Sequence, residues 1–487
     1  MRLLGILSLA ILVALGAPRG AAAQSADTKA TILTALFSAK SVDAGAFDAS
    51  FTAQVPPATL QSIVDDFRMR LGKLTSVRPQ GSDYALTFER GGLIATIGLD
   101  AAGKVSSLLL HDETSEADRK ALERFFTERP VQPGWFSAAF LAAVPIEQIR
   151  SILDQLTAQE GAFERVEVRD GAYYAIFAKA ENHVLVALDA DGKFTTLRLL
   201  PPVARASNLD DALAKLAAAN GPVSYLVRRA GADGEDVAAA GADRPLAVGS
   251  SFKLVVLAAL RAQIDAKARS WSDVVPLPAS AKSLPSGTFQ TWPAGTPITL
   301  ATYAAQMISI SDNTAADVLA GLVGRPALEA LSPRNTPFLT TRELFALKSR
   351  YGAPLRSAYR AGDAAARRTI LAKLDAGALP GLADLDLSPA DLDIEWFLTN
   401  RELCGFMERV ADLDLMTINP GVPVSGWKRI AYKGGSDAGV LNLTSYVTAP
   451  DGTSYCVSAT WNDRARSPDE AACTAAFGAV LQQLARR

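Results

Sequence analysis

Two stretches near the N-terminus share one pattern of apolar and polar positions. The first, FDASFTAQVPPATLQSIVDDF, starts at Phe47, and the second, FSAAFLAAVPIEQIRSILDQL, starts at Phe136, which is 89 residues later (136 − 47). The same offset pairs Phe88 with Phe177, and it pairs LDAAGK with LDADGK. Apolar residues recur at helical spacing in both stretches. A match that is sustained at one offset without a gap predicts a duplicated unit.

Each copy is predicted to open with helices and to close with short antiparallel strands. In the first copy, YALTF, LIATIGL and VSSLLL predict strands, and DAAGK predicts a turn. Aspartate in such a turn is far more often a turn former than a catalyst, so Asp100 and Asp189 are interpreted as structural. We therefore expect two small α+β domains, over residues 27–112 and 116–202, that act as scaffold or binding modules.

This order of helices and strands resembles the nuclear-transport-factor-2-like fold, which steroid isomerases share. The resemblance implies helices that cover a curved antiparallel sheet, with a cone that can hold a ligand. Neither copy carries a catalytic constellation in its sequence.

The C-terminal part of the chain has a different pattern. PPVARASN, residues 201–208, breaks the periodicity and is typical of a linker. Beyond it, Asn208 caps a predicted helix, VSYLVRRA predicts a strand, and PDEAACTAAFGAVLQQLA predicts a terminal helix. A strand, a large helical insert, further strands and a terminal helix predict a two-part α+β or α/β domain over residues 208–487.

The first 23 residues have the pattern of a secretory signal. Arg2 gives a positive start, Leu3 to Ala17 form a short apolar core, and GAAAQS provides small residues for cleavage near Ala23. A transmembrane anchor is the alternative, but this core is short for a membrane span. We therefore expect a periplasmic or secreted protein.

Composition narrows the classes of function. A chain of 487 residues is too long for one ordinary core, so two to four domains are expected. The formal net charge is −2, and no basic tract stands out, which argues against nucleic acid as a partner. The spacing of Cys404, Cys456 and Cys473 does not resemble a metal site. We expect three small buried side chains, with one disulfide and one free thiol as the alternative.

Histidine is scarce in this chain. His111 and His183 are the two histidines, and both lie in predicted strands of the N-terminal half. A Ser-His-Asp triad needs a histidine beside the nucleophile, and a zinc site usually needs several His or Cys ligands. We therefore expect no metal and no cofactor, and a hydrolytic site in this chain would use another base.

A lysine interrupts the apolar segment AVGSSFKLVVLAAL, which starts at Ala247. Ser250 and Lys253 are three residues apart and can share one face of a helix. Apolar neighbours desolvate the ammonium and favour the neutral amine, which can take the proton of a serine nucleophile. Free N–H groups at the start of the helix would stabilise an oxyanion. The alternative is a helix cap, Ser250, followed by a lysine that snorkels to the surface.

Two further motifs favour the catalytic interpretation of Ser250 and Lys253 over the helix cap. SDN begins at Ser311 and KGG begins at Lys433, before the strand-like LNLTSYV. A Ser-x-x-Lys pair, a Ser-Asp-Asn turn and a Lys-x-Gly strand, in this order, resemble the signature of penicillin-recognising serine enzymes, and of class A β-lactamases in particular. The resemblance implies a β-lactamase/transpeptidase-like domain with an antiparallel sheet and a helical subdomain.

The resemblance also implies roles at the nucleophile. Ser250 would attack a carbonyl, and Lys253 would accept or relay its proton. Ser311 would pass a proton to the leaving nitrogen. Asn313 would hold the side-chain amide of the substrate and brace Lys253, whereas Asp312 would be structural.

Further roles concern the strand beside the cleft. Lys433 would supply positive charge for a substrate carboxylate and bias Ser311. Gly435 would let the substrate approach the backbone. The backbone N–H groups of Ser250 and Ser436 would form the oxyanion hole.

The expected reaction is hydrolysis of a β-lactam through a serine acyl-enzyme. An esterase and a D-Ala carboxypeptidase or transpeptidase acting on cell-wall peptides are the enzymatic alternatives, with peptidoglycan as a partner. A non-catalytic envelope-binding protein is the alternative of another class. The order of modules is similar to a type of serine hydrolase from clavulanic acid gene clusters, but here the N-terminal module is doubled.

The sequence departs from the class A pattern in two places. Class A enzymes carry a water-activating glutamate in an E-x-x-L-N run after the Ser-Asp-Asn turn; no such run follows here, and we expect the loop to be shortened. Glu343 is the nearest acid, but Thr340-x-x-Glu343 is typical of a capping box, which favours a structural role. Gly434 stands where threonine or serine is usual, so a hydroxyl that could bind a carboxylate is missing.

Overall fold

The computed structural model describes residues 26–487 except 49–50, 53–54, 81–82, 90, 101, 113–114, 170, 190, 220–221, 232–233, 376–378, 387 and 423. The predicted signal, residues 1–23, lies outside the described residues. The chain divides into two compact units, Met1–Leu200 and Pro201–Arg487. Among the helices of the described part, none combines the length and the apolar character that a membrane span requires.

The first copy in the N-terminal unit packs helices against an antiparallel sheet. Its helices are α1 (Ala26–Ser38) and α2 (Pro57–Leu71). Its strands pair in sequence order: β1 (Leu74–Gln80), β2 (Asp83–Phe88), β3 (Gly91–Leu99) and β4 (Val105–Asp112). Every second residue of β2 is buried, because side chains alternate between the two faces of a strand. The buried face packs with α1 in an apolar core that includes Leu33, Phe37 and Leu86.

The second copy repeats this order at the same spacing in the chain. Its helices are α3 (Glu116–Thr127), α4 (Ala138–Ala143) and α5 (Ile146–Glu160). Its strands are β5 (Phe163–Arg169), β6 (Ala172–Phe177), β7 (Ala180–Leu188) and β8 (Phe194–Leu199). A parallel bridge joins Phe47 to Val105, and the equivalent bridge joins Phe136 to Phe194. The duplication is therefore visible in the backbone as well as in the apolar pattern.

The repeated aspartates serve the turns that follow β3 and β7. Asp100 accepts backbone hydrogen bonds from Ala102 at 2.9 Å and Lys104 at 2.8 Å. Asp189 accepts the equivalent bonds from Asp191 and Lys193. The structural interpretation of both residues is confirmed by these contacts. His111 lies on β4 and His183 on β7, as predicted.

The C-terminal unit contains a larger antiparallel sheet. In chain order the strands of this unit, inside and outside the main sheet, are β9 (Val203–Ala204), β10 (Val223–Arg229), β11 (Asp236–Ala240), β12 (Leu246–Ala247), β13 (Val274–Pro276), β14 (Pro297–Thr299), β15 (Phe397–Leu398), β16 (Arg429–Asp437), β17 (Val440–Thr448) and β18 (Ser454–Asn462). The main sheet has the order β11-β10-β18-β17-β16, so β16 lies at an edge. The short strands pair as β12 with β15 and β13 with β14.

Helices cover both faces of this sheet. In chain order they are α6 (Leu209–Ala218), α7 (Lys253–Asp265), α8 (Leu300–Ser309), α9 (Asn313–Val323), α10 (Arg325–Leu331), α11 (Thr341–Leu347), α12 (Ala353–Ala361), α13 (Ala364–Asp375), α14 (Asn400–Glu408) and α15 (Glu470–Leu484). As predicted, the Asn208 side chain caps α6 by accepting from Asp211 N–H. Helices α6 and α15 share one apolar core with β17 and β18. Helix α7 is apolar around its first turns and is buried in the second core.

The loop that directly follows α10 covers residues 332–340, and α11 begins at Thr341. That this loop is shortened relative to class A enzymes stays a prediction. Helices α11, α12 and α13 occupy the next part of the chain, and amphipathic helices such as α12 bury one face against the helical core.

The cysteines also correct the sequence interpretation. Cys404 on α14 and Cys456 on β18 form a disulfide, whereas Cys473 is a free and buried thiol among the described residues. The favoured expectation of three unlinked side chains is therefore wrong. Residues 52 positions apart in the chain carried no local sign of pairing; the packing of α14 on the sheet brings them together.

Candidate active site

Ser250 lies on a 3₁₀ turn, Gly249–Phe252, which leads directly into α7. The ring of Phe252 stacks on Trp396 with 3.7 Å between ring centroids. Because Phe252 is fully buried, this contact fixes the turn and leaves Ser250 at its partly exposed edge. The apolar segment therefore serves to anchor the serine at the start of a buried helix.

The ammonium group of Lys253 is enclosed by oxygen atoms. Its Nζ lies 3.1 Å from Ser250 Oγ and 3.0 Å from Ser311 Oγ. It also donates to Ser311 O at 2.6 Å and to Asn313 Oδ1 at 2.7 Å. A neutral amine has two hydrogens, and the carbonyl oxygens Ser311 O and Asn313 Oδ1, which can only accept, engage both of them. The lone pair of Nζ is then available to accept a hydrogen bond from a serine hydroxyl. The contacts therefore suit a lysine that accepts a proton from Ser250.

Electrostatics favours the neutral form of this lysine. Lys253 is 0% exposed, and burial lowers its pKa well below the ordinary value. The charge of Lys433 lowers that pKa further, while Asp317 and Asp312 oppose the shift. The alternative interpretation, a snorkelling lysine, is wrong because the side chain does not reach the surface.

Ser311 occupies a sharp turn between α8 and α9. Its φ of 58° lies in the left-handed region, which is uncommon for residues other than glycine. The turn is held by Ser286, whose hydroxyl donates to Ser311 O at 2.7 Å. The strained backbone points Ser311 Oγ at both Lys253 Nζ and Lys433 Nζ, the latter at 3.1 Å.

Asp312 and Asn313 stabilise this turn from within the protein. Asp312 caps α9 through Ala315 N–H and accepts two further backbone bonds, from Thr288 and Phe289. Asn313 accepts from Lys253 and donates its amide to Leu284 O at 2.9 Å. The bracing of Lys253 by Asn313 is therefore present. One of the two hydrogens of its amide nitrogen is engaged with Leu284 O, and the expected contact with a substrate amide stays a prediction.

Strand β16 forms the other wall of the site. Lys433 is buried, contacts Ser311 Oγ and Gly434 O, and has its pKa lowered to about 7 by burial. A Cβ atom on Gly435 would lie 2.1 Å from Val248 O and 2.7 Å from Ser250 N. Glycine is thus required here because the strand passes directly over the serine turn.

The backbone nitrogens of Ser250 and Ser436, which form the expected oxyanion hole, lie on neighbouring backbone segments. Gly249 has a φ of 50°, and a Cβ there would lie 3.0 Å from Ser436 N. The Ser250 and Ser436 amides therefore lie on facing backbone segments whose separation is set by Gly249 and Gly435. Such an arrangement of backbone donors suits a developing oxyanion.

Glu343 is engaged in the capping box that its sequence predicts. Its Oε2 accepts from Thr340 N–H at 2.8 Å, and Thr340 Oγ1 accepts from Glu343 N–H. Its Oε1 forms an ion pair with Arg325 at 2.6 Å. One carboxylate oxygen thus stabilises the start of α11 and the other binds Arg325 at the start of α10. The idea that Glu343 activates water finds no support in these contacts.

Sequence reasoning missed a buried charge cluster beyond Gly435. Lys348 Nζ contacts Glu395 Oε1 at 2.8 Å and Asp437 Oδ2 at 2.6 Å, and all three side chains are almost fully buried. Asp437 shares a face of β16 with Gly435 because alternate residues of a strand point the same way. The three residues come from separate segments and form no motif, so no local signal announces them.

The protonation of this cluster follows from its burial. Burial raises the pKa of Glu395 to about 8, against the opposing charge of Lys348. Burial alone would also raise the pKa of Asp437, but Lys348 and a hydrogen bond with Glu395 hold it below its ordinary value. One proton shared by two carboxyls beside one ammonium leaves the cluster close to neutral.

The structure thus brings together the groups that the sequence singles out: Ser250, Lys253, Ser311, Asn313, Lys433, Gly435 and Ser436. Among the described residues, no group of His, Cys, Asp and Glu side chains is arranged to hold a metal ion. Residues 207–349, which carry the first two motifs, match the family model described as the β-lactamase enzyme family.

Over residues 207–349 the C-terminal unit is therefore β-lactamase-like. Solved structures similar to this β-lactamase-like unit include a β-lactamase from Sphaerobacter thermophilus DSM 20745, with 23% identity and a TM-score of 0.39, covering 57% of this chain and 95% of that chain. PBP-A is similar at 16% identity and a TM-score of 0.39, covering 58% and 98%. An ancestral class A β-lactamase, GNCA, has 19% identity and a TM-score of 0.40, covering 57% and 99%. A comparison with curated proteins finds no match.

Proposed function

We propose that the protein is an exported serine hydrolase that is acylated on Ser250 and hydrolyses β-lactams. The observation that carries the proposal is the position of Lys253 Nζ, 3.1 Å from Ser250 Oγ and 3.0 Å from Ser311 Oγ. One buried amine thereby links the nucleophile to a second hydroxyl. This is the connection that acyl transfer to a serine requires.

Acylation on this geometry proceeds as follows. Ser250 Oγ bonds to the lactam carbonyl carbon while its proton moves to Lys253 Nζ. The carbonyl carbon–nitrogen bond breaks, and the leaving nitrogen receives a proton through Ser311 Oγ. The amides of Ser250 and Ser436 stabilise the oxyanion in between. Water then cleaves the ester, which releases the ring-opened acid and restores the serine.

Deacylation is expected to be the slow step. In class A enzymes a glutamate activates the water, but here Glu343 is engaged by Thr340 and Arg325. This observation favours a second candidate, a penicillin-binding-type enzyme that acts on D-Ala-containing cell-wall peptides or on esters and is trapped by β-lactams.

A single incubation separates these candidates. The mature protein is mixed with a chromogenic cephalosporin, and colour and intact mass are followed together. Fast colour without a lasting adduct indicates a β-lactamase, whereas a persistent adduct that Ser250→Ala abolishes indicates a penicillin-binding-type enzyme. If neither colour nor an adduct appears, both candidates are contradicted. Hydrolysis of short esters would then distinguish an esterase from a non-catalytic envelope-binding protein.

For the N-terminal unit we keep the proposal of two nuclear-transport-factor-2-like binding modules. The repeated order of elements and the equivalent bridges Phe47–Val105 and Phe136–Phe194 support it. The ligand of these modules stays open; peptidoglycan, the partner expected for the cell-wall alternatives, is tested for the whole protein by co-sedimentation of the full chain with purified sacculi. Export is tested by the mass of the protein from the periplasm or medium, which should correspond to cleavage near Ala23.

A further inference from the structure

The buried charge cluster of Lys348, Glu395 and Asp437 links the strand that carries Ser436 to the segment before β15. Asp437 directly follows Ser436 at the end of β16, and Lys348 Nζ donates to Asp437 Oδ2 at 2.6 Å. The same Nζ donates to Glu395 Oε1 at 2.8 Å. One ammonium group therefore holds the end of β16 to the segment that precedes β15.

The segment before β15 in turn supports the serine turn. Trp396, the residue after Glu395, accepts a hydrogen bond at its backbone oxygen from Val248 N–H, with 3.0 Å between nitrogen and oxygen. Its ring stacks on Phe252 at 3.7 Å between centroids. Val248 and Phe252 lie two positions before and two positions after Ser250. The segment before β15 therefore contacts the serine turn on both sides of the nucleophile.

The backbone around Lys348 is fixed by a second buried pair. Arg356 donates to Leu347 O at 2.8 Å and to Ser349 O at 3.1 Å, which are the carbonyl oxygens on either side of Lys348. Arg356 also forms an ion pair with Asp391 at 2.7 Å, and both residues are buried. Lys348 is thus held through its backbone as well as through its ammonium group.

Stability alone does not account for this cluster. Charges that leave water for the protein interior lose solvation, and apolar side chains of similar volume are often equally or more stabilising. The side chains of Lys348, Glu395 and Asp437 are 4%, 0% and 8% exposed, so this cost applies to all three. What the cluster provides, and apolar packing does not, is a directional link between three separate segments of the chain.

We propose that Lys348 is a positioning residue for the oxyanion hole. By linking Asp437 to Glu395, it keeps the two amides of the hole aligned, one on β16 and the other on the serine turn. The inference rests on the proposed function, since it takes Ser250 as the acylated residue. Donors aimed at the oxyanion act on the transition state, so their misalignment should slow acylation and leave the binding of intact substrate unchanged.

The first test separates the rate of acylation from substrate binding. Rapid-quench mass spectrometry over a range of penicillin concentrations gives the limiting acylation rate and the half-saturating concentration. Lys348→Met/Asp437→Asn removes the link without leaving the Asp437 charge unpaired. We expect its limiting rate to fall by about ten- to a hundredfold, as for a small misplacement of reacting groups, and its half-saturating concentration to change by less than about threefold.

A spectroscopic readout reports on the two amides directly. The ester carbonyl of an acyl-enzyme absorbs at a lower infrared frequency when it accepts strong hydrogen bonds, so difference spectra with an isotope-labelled penicillin report the alignment of the hole. We expect the ester band to move to a higher frequency in Lys348→Met/Asp437→Asn. Asp437→Asn alone, which leaves Lys348 paired with Glu395 and therefore keeps the fold, should show the same changes to a smaller extent.

The matched control removes the cation from a different buried carboxylate. Arg325→Met leaves Glu343 without its ion pair and should lower stability, with the acylation rate and the ester band unchanged. An unchanged rate or an unchanged band in Lys348→Met/Asp437→Asn would overturn the inference, and so would equal slowing in Arg325→Met.

The outcomes also separate the inference from the proposed function, provided that p-nitrophenyl acetate is used beside the penicillin. If the penicillin acylates Ser250 equally fast in the parent and in Lys348→Met/Asp437→Asn, the inference fails and the proposed function stands. If the penicillin gives no adduct, and p-nitrophenyl acetate acylates Ser250 faster in the parent than in that variant, the proposed function fails and the positioning role stands. If neither compound acylates Ser250 of the parent, both fail.

Discussion

Lys253 Nζ lies 3.1 Å from Ser250 Oγ, with the lysine fully buried one helical turn after the serine. A buried amine that keeps its proton would be poorly solvated, so the environment itself drives the lysine towards the neutral form. The charges of Asp317 and Asp312 favour the protonated form, but burial and the charge of Lys433 outweigh them. The pair therefore combines a partly exposed nucleophile with a fully buried base.

Lys253→Met should abolish most of the acylation of Ser250. The loss of a positioned general base reduces the rate by about 10²- to 10⁴-fold, and methionine keeps a long apolar side chain in the buried site. Single-turnover mass spectrometry with a penicillin measures the rate. Lys253→Arg serves as the matched variant, since arginine keeps the charge but does not deprotonate. Acylation of either variant at the parent rate would exclude the assigned role.

The pH profile of penicillin acylation should be bell-shaped. Lys253 must be neutral to accept a proton, and its lowered pKa, set by burial and by Lys433 against Asp317 and Asp312, places the rising limb below the ordinary lysine range. Lys433 must be charged to attract the substrate carboxylate, so binding should fall as pH rises through its pKa of about 7. Rates of acylation by a penicillin and by its methyl ester, which has no carboxylate, measure this. The ester should lack the falling limb, and an identical profile for both would contradict the assignment to Lys433.

Removing one member of the buried charge cluster should destabilise the β-lactamase-like unit. Lys348→Met leaves Asp437 without its cation and is expected to cost about 3–5 kcal/mol in the free energy of unfolding. Lys348→Met/Asp437→Asn should recover part of that loss. Arg466→Met, in the exposed pair with Asp463, is the control and should leave the free energy of unfolding close to that of the parent, because exposed ion pairs contribute little. Denaturant titration measures all three, and equal losses for Lys348→Met and the control would refute the burial argument.

Glu395 should make the stability of the protein fall as pH rises. Its pKa is about 8 in the folded state against an ordinary 4.5, so its contribution is complete below pH 4.5 and is lost as pH rises through about 8. The free energy of unfolding at pH 6 and pH 9 tests this. Glu395→Gln should reduce the difference between the two values, and an unchanged difference would assign the pH dependence to other groups.

Glu343→Gln should leave the turnover of a chromogenic cephalosporin within about twofold of the parent, because the carboxylate stabilises a helix start. Loss of the ion pair with Arg325 should still lower stability by about 1–3 kcal/mol. Glu402→Gln, in the equivalent capping box with Thr399, is the matched control. A selective accumulation of acyl-enzyme in Glu343→Gln alone would show that this residue does activate water.

The parts of the site that could be predicted are those encoded by short segments. Ser250 and Lys253 are one turn apart, and the Ser311 turn and the Lys433 strand carry their own motifs. The capping box at Thr340 was equally local, because both partners lie within one helical turn. In each case the backbone geometry follows from neighbouring residues.

The features that escaped prediction depend on tertiary packing. The Cys404–Cys456 disulfide joins a helix to a strand, and the contact of Lys348 with Asp437 joins the end of α11 to β16.

The most direct measurement is peptide mapping of the full chain after incubation with a penicillin. We predict one added penicillin per protein, located on the peptide that contains Ser250, and absent from Ser250→Ala. A lasting adduct on another residue, an adduct that persists in Ser250→Ala, or the absence of any acylation and any turnover in the parent protein would contradict the account.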